Sequence, residues 1–205
     1  GMVIASLTLS NMDASTNVNT VNYYRAGIQT VMATPTYHHL TLSGTSAKTL
    51  QASTTLIKGT FTLTGTASAA TVAGLSVDGN LDVGAGTTLT VAASDITVAG
   101  TTSVTGTLAH TSATGTKTYK GLVTVNAGGT WNNSGNSPIA FRDGIVNAGT
   151  FTGGSGTHTM RWGLEQSRNL MTVRIANDAG MDNVVRQIER VGIGKDRARE
   201  YPHTY

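Results

Sequence analysis

The chain has 205 residues, 39% of them hydrophobic and 12% charged, with a formal net charge of +3 and no cysteine. Lack of cysteine excludes disulfides and thiolate metal sites, and no apolar run approaches the roughly 20 residues that span a bilayer. The positive charge is not a nucleic-acid signature, because the basic residues near the C-terminus are interleaved with Asp178, Asp182, Glu189 and Glu200 instead of forming a stripe.

Residues 1–38 open on Gly1-Met2-Val3-Ile4-Ala5, which has no basic segment before it and turns polar at Ser10-Asn11, so no signal peptide is visible. Tyr23 and Tyr24 stand out here, and Val21 is a faint echo of the pattern that follows. This segment is expected to be an N-terminal cap or a degenerate coil.

Residues 39–153 repeat. Leu42, Leu63, Val83, Val104, Val125 and Val146 form one column, and two positions earlier Leu40, Phe61, Leu81, Thr102, Val123 and Gly144 keep the same register. Ile57, Val77, Val98, Tyr119 and Phe141 form a second column, with Gly59, Gly79, Gly100 and Gly121 two residues behind it. The segments Val125-Asn126-Ala127-Gly128 and Val146-Asn147-Ala148-Gly149 are almost identical. Within each unit apolar residues alternate with Thr, Ser, Asp or Asn, the period of a half-buried strand, and glycines punctuate the strands. The fold expected is all-β: a parallel β-solenoid with coils of about 21 residues stacked about 4.8 Å apart, plus a short α-helical C-terminal tail. A β-sandwich explains the alternation but not the constant spacing.

The chemistry-bearing side chains of this region are dispersed. Asp78, Asp82, Asp95 and Asp143 occupy different phases of the repeat, and the column of Asp82 reads Thr41, Thr62, Asp82, Ser103, Thr124, Ile145, so an acid pair of glycosidase type is not expected. The next column, Ser43, Thr64, Gly84, Thr105, Asn126, Asn147, interrupts the threonine grid that an ice-ordering surface would need. His38 and His39 are expected on opposite faces of a strand, a poor start for a metal site, and His110, His158 and His203 read as surface residues. No metal or other cofactor is expected. Trp131 and Phe151 occur in equivalent Gly-Thr-aromatic contexts and read as packing residues. Residues 154–160, with Gly153-Gly154-Ser155-Gly156 at their start, read as a linker and seam.

These repeats resemble the Thr/Gly-rich β-solenoid regions of large bacterial surface and secreted proteins, as in Tyr37-His38-His39-Leu40-Thr41-Leu42-Ser43-Gly44 and Lys48-Thr49-Leu50. The resemblance implies an exported stalk or adhesive surface, non-catalytic and located outside the cell, at its surface or in the periplasm. Cell-surface polysaccharide or peptidoglycan is the partner class it suggests.

In the tail, residues 161–205, the composition changes: residues 1–160 hold 6 Lys/Arg and 5 Asp/Glu against 8 and 6 afterwards, which places the seam between Phe151 and Met160. Leu164, Met171 and Ile175, with Leu170 beside them, recur at helical spacing, with Gly180 as the stop. A second helix is expected from Asp182 as N-cap through Val184, Val185, Ile188 and Val191 to Gly192. The run Thr159-Met160-Arg161-Trp162-Gly163-Leu164-Glu165-Gln166-Ser167-Arg168-Asn169-Leu170-Met171-Thr172-Val173-Arg174, with Gly180-Met181-Asp182 and Val191-Gly192-Ile193, resembles the second-motif region of class A penicillin-binding proteins, the peptidoglycan transpeptidases. That resemblance makes Ser167-Arg168-Asn169 a Ser-x-Asn motif. It implies that the Ser167 hydroxyl helps move protons at a nucleophile and that the Asn169 amide bonds the bound peptide or β-lactam. The nucleophilic Ser-x-x-Lys of that family and its Lys-Thr/Ser-Gly strand do not occur in these residues; Thr45 and Thr55 precede Lys48 and Lys58 at the first spacing, but each lies in the repeat without the family's context. The alternative reading is therefore a transpeptidase fragment fused to an unrelated repeat.

Overall fold

The computed structural model describes residues 16–154 and 180–190. The chain divides into two units, residues 1–156 and 157–205.

The first unit is a parallel β-solenoid of about six turns with coils of about 21 residues. Each full coil carries three short strands. The first has β1 (Thr20–Tyr23), β2 (Gln29–Thr30) and β3 (Thr36–Tyr37), within the segment read as a cap or degenerate coil. The second has β4 (His39–Leu42), β5 (Thr45–Thr49) and β6 (Leu56–Ile57), and the third β7 (Phe61–Leu63), β8 (Thr66–Ala70) and β9 (Leu75–Val77). The fourth has β10 (Leu81–Val83), β11 (Thr88–Val91) and β12 (Ile96–Val98), and the fifth β13 (Thr102–Val104), β14 (Thr107–His110) and β15 (Lys117–Tyr119). The sixth has β16 (Val123–Val125), β17 (Thr130–Asn132) and β18 (Ile139–Phe141), followed by β19 (Ile145–Asn147) and β20 (Thr150–Thr152).

Corresponding strands stack into three parallel sheets. The first runs β1-β4-β7-β10-β13-β16-β19, the second β2-β5-β8-β11-β14-β17-β20 and the third β3-β6-β9-β12-β15-β18. Strand alternation sends every second side chain inward, so Leu40, Phe61 and Leu81 stack beneath one another in the first sheet, and Tyr37, Ile57, Val77 and Val98 in the third, all essentially inaccessible. Each such side chain contributes about 1.5–3 kcal/mol by leaving water.

Glycines make the corners. The column Gly59, Gly79, Gly100 and Gly121 lies where the third sheet turns back into the first. A Cβ at Gly79 would sit 2.6 Å from the Gly59 carbonyl oxygen, and one at Gly100 2.6 Å from that of Gly79. Close approach of successive backbones is the requirement here; at the corner between the first and second sheets, Gly44, Gly65 and Gly86 instead adopt positive φ of 74, 70 and 75°.

One register differs from the sequence expectation. Val123 pairs with Ile145 and Val125 with Asn147, not with Gly144 and Val146. Hence Val146 is 52% exposed, while Ile145 packs partly buried against the core. The same shift puts Val146, not Ile145, in the outward column of Asp82, and Ala148, not Asn147, in the next, where its N–H donates to the Val125 carbonyl at 2.7 Å. The sixth coil is already one residue longer where Tyr119 pairs with Phe141, and a slip of one position exchanges the two faces of a strand. The near-identical Val-Asn-Ala-Gly segments are therefore out of step in space.

In the second unit, α1 (Met181–Arg190) is the described element. Gly180, at φ 79°, offers its carbonyl to the N–H groups of Asn183 (3.0 Å) and Val184 (3.3 Å), so Gly180 takes the N-cap position expected of Asp182. Asp182 lies in the first turn, where its charge complements the positive helix end. The expected helix before Gly180, and Val191 and Gly192, lie outside the described residues. No helix among the described residues is long and apolar enough to cross a membrane.

Candidate functional site

Outward positions carry small polar side chains. On the first sheet the central column reads Asn22, Thr41, Thr62, Asp82, Ser103, Thr124 and Val146. On the second sheet Ser68, Thr88, Thr107, Thr130 and Thr150 stand in register. Several of these groups tie coils together: Ser43 Oγ donates to Asn22 Oδ1 (2.7 Å), and Asn126 Nδ2 donates to Ser103 Oγ and Thr105 Oγ1 (both 3.0 Å). Asp95 accepts from the Thr116 N–H (2.6 Å) and Oγ1 (3.2 Å) of the next coil, which is a structural bond across a turn. Partial burial between Thr62 and Ser103 raises the Asp82 carboxyl above its ordinary value.

His38 and His39 are closer than a strand alternation allows. His38 precedes β4 instead of lying within it, and the two rings are 4.6 Å apart with an interplanar angle of 52°. His39 Nδ1 accepts the Thr60 N–H at 2.8 Å. No three His, Cys, Asp or Glu residues among the described ones are grouped to hold a metal ion.

His110, expected at the surface, is fully buried. It ends β14 opposite Val91 on the inward side, 4.6 Å from the Trp131 ring and 5.9 Å edge-on to the Tyr119 ring, with Nε2 2.7 Å from the Tyr119 hydroxyl. Trp131 stacks on Phe151 at 5.8 Å and 14° and leans on Phe141 at 5.2 Å, so these aromatics are indeed packing residues. Burial drives the His110 pKa down to about 3; the Asn132 backbone opposes this without a bond of normal geometry to Nδ1, and the Lys117 ammonium reinforces it. Burial also raises the Tyr119 hydroxyl above the ordinary tyrosine range.

Among the described residues, two lysines are buried without a carboxylate in hydrogen-bond contact. Lys48 Nζ donates to the carbonyls of Arg25 (2.6 Å) and Gly27 (3.0 Å) and to Gln29 Oε1 (3.1 Å). Lys117 sits in the inward column beneath Ile96, and its Nζ donates to the carbonyls of Thr114 (2.6 Å) and Gly115 (3.0 Å). Burial lowers both pKa values; Arg25 adds to the effect at Lys48, and Asp95 counters it at Lys117. Each ammonium thus satisfies loop carbonyls, so Lys48 is committed to these acceptors. Sequence reasoning passed over Lys117 although Leu75, Ile96 and Lys117 keep one register in the third sheet.

Ser167 and Asn169, like His158 and His203, lie outside the described residues. No protein-family model matches the chain, and no solved structure matches it significantly. Penicillin-binding protein 1A of Rickettsia conorii is 48% identical over 46 residues, 22% of this chain and 6% of that protein. Penicillin-binding protein 1A of Rickettsia bellii is likewise 48% identical over 46 residues, again 22% of this chain and 6% of the relative. The chain therefore spans about 6% of the length of these curated relatives.

Proposed function

We propose that the solenoid is a non-catalytic structural or adhesive module of a bacterial exported or cell-surface protein, with cell-surface polysaccharide or peptidoglycan as its partner. In this reading residues 39–153 are the repeat body, 154–160 the seam and 161–205 a tail of separate origin. The observation that carries it is the use of the outward columns: Asn22, Thr41, Thr62, Ser103 and Thr124 on the first sheet, with Asp82 among them and Val146 at the end, and Ser68 to Thr150 on the second present mainly short hydroxyls and amides in register. Such a surface suits repeated weak hydrogen bonding along a polymer. The 205-residue chain is expected to co-sediment with purified peptidoglycan sacculi or with an insoluble neutral glucan; retention on neither would remove the adhesive reading. Deletion of residues 160–205 is expected to leave the β-type circular dichroism intact, and loss of that signal would contradict an independent solenoid.

A second reading is favoured by the 48% identity to penicillin-binding protein 1A over 46 residues: the tail is a transpeptidase fragment in which Ser167 and Asn169 are the Ser-x-Asn pair. A fluorescent penicillin is expected not to label the chain, because covalent acylation requires an activated nucleophile and these residues hold no Ser-x-x-Lys. A labelled serine would reinstate the enzyme.

A further inference from the structure

The solenoid interior changes character along its axis. In the third and fourth coils the buried strand positions are apolar, among them Phe61, Leu63, Val77, Leu81, Val83 and Leu89. In the fifth coil Thr102, His110 and Lys117 enter the interior at 1%, 0% and 0% exposure. Thr102 Oγ1, His110 Nδ1 and, one coil on, Trp131 Nε1 are buried without a hydrogen-bond partner. A buried polar atom left unpaired weakens the folded state.

We propose that the solenoid is built with an acid-labile segment, the stack from the fifth coil onward, which opens at low pH while the third and fourth coils stay closed. His110 is the trigger. It is enclosed by Val91 on β11, by Tyr119 and Lys117 on β15 and by Trp131 and the Asn132 backbone on β17, the last of which favours the protonated ring but is outweighed by burial. Of these only Tyr119 and Lys117 are titratable: the first is held neutral by burial and the second adds repulsion to an imidazolium. No carboxylate among these neighbours can compensate the new charge. An added proton is therefore accommodated by opening the coil. A histidine neutral in the fold at pH values where it is protonated when solvated loses stability as pH falls from about 6.5 towards about 3, the window between its ordinary and folded values. Coil stacks open locally because each repeat contacts only its neighbours, so the defect need not spread to the apolar coils.

Hydrogen exchange of the full chain, read by mass spectrometry as protection factors between pH 7 and 4, tests this. Peptides from residues 102–141 are expected to lose protection by up to about tenfold per pH unit below 6.5, whereas peptides from 61–98 keep theirs. Uniform loss across both regions, or unchanged protection of 102–141 at pH 4, would overturn the proposal. His110→Gln keeps a partner for the Tyr119 hydroxyl and is expected to abolish the slope. Nitrogen-15 shifts of the wild-type imidazole give a second reading that needs no variant: His110 should stay neutral at pH 5 in the closed protein, and ordinary titration near 6.5 with intact protection would equally refute the proposal.

Discussion

Trp131→Ala is expected to destabilise the solenoid by about 3–5 kcal/mol, the cost of emptying a large aromatic site that cannot collapse. Trp131 is inaccessible and touches four other rings: His110 at 4.6 Å, Tyr119 at 5.1 Å, Phe141 at 5.2 Å and Phe151 at 5.8 Å. These rings come from the second and third sheets and from three successive coils, so their removal leaves no single strand able to move in and fill the space. The indole N–H is unpaired, so the loss is one of packing and not of a hydrogen bond. Trp131→Phe, which keeps part of the volume, should lose less than half as much. The urea midpoint followed by far-ultraviolet circular dichroism is the measurement; a midpoint for Trp131→Ala within error of wild type would show that the aromatic stack does not hold the later coils together.

Gly100→Ala is the second large effect, a loss of about 3 kcal/mol from one added methyl. Its Cβ would lie 2.6 Å from the Gly79 carbonyl oxygen and 2.7 Å from the carbonyl carbon, and would also strike Asn80 Oδ1, which accepts the Thr101 N–H at 3.0 Å. Backbone cannot rotate away as a side chain can, so the two coils must part locally and lengthen the hydrogen bond from the Gly100 N–H to the Gly79 carbonyl, now 3.0 Å. Gly74→Ala is the control. A Cβ there meets nothing within 4 Å and φ is not in the left-handed region, so this variant is expected to be neutral or stabilised by up to about 1 kcal/mol. Equal midpoints for the two variants would mean that the glycine column reflects composition and not coil spacing.

Much of this fold is legible in the order of residues. The column Ile57, Val77, Val98, Tyr119 and Phe141 predicted from spacing is the one that stacks in the third sheet, because each coil must return the chain to the same place over the one before, and a nearly constant number of residues does so. The interior position of Trp131 above Phe151 follows from the same rule.

The misreadings fall where coil length varies. Val91 and His110 are paired neighbours in the second sheet although fewer residues separate them than separate Val98 from Tyr119 in the third. Local loop lengths differ while the coil circumference is conserved. A histidine in a Thr-Ser-rich stretch therefore reads as surface until its strand is paired, and the extra residue in the sixth coil turned Val146 outward in the same way.

The sequence by itself determined the solenoid, its coil length, its glycine corners and the change of character towards the tail, because these depend on periodicity and composition along one chain. Tertiary structure decided which side chains face inward in each coil, and so placed His110, Lys48 and Lys117 in the interior. Facing is fixed by inter-coil hydrogen bonds whose register a one-residue change in a loop resets, and that register is a property of two stacked coils and not of either segment alone.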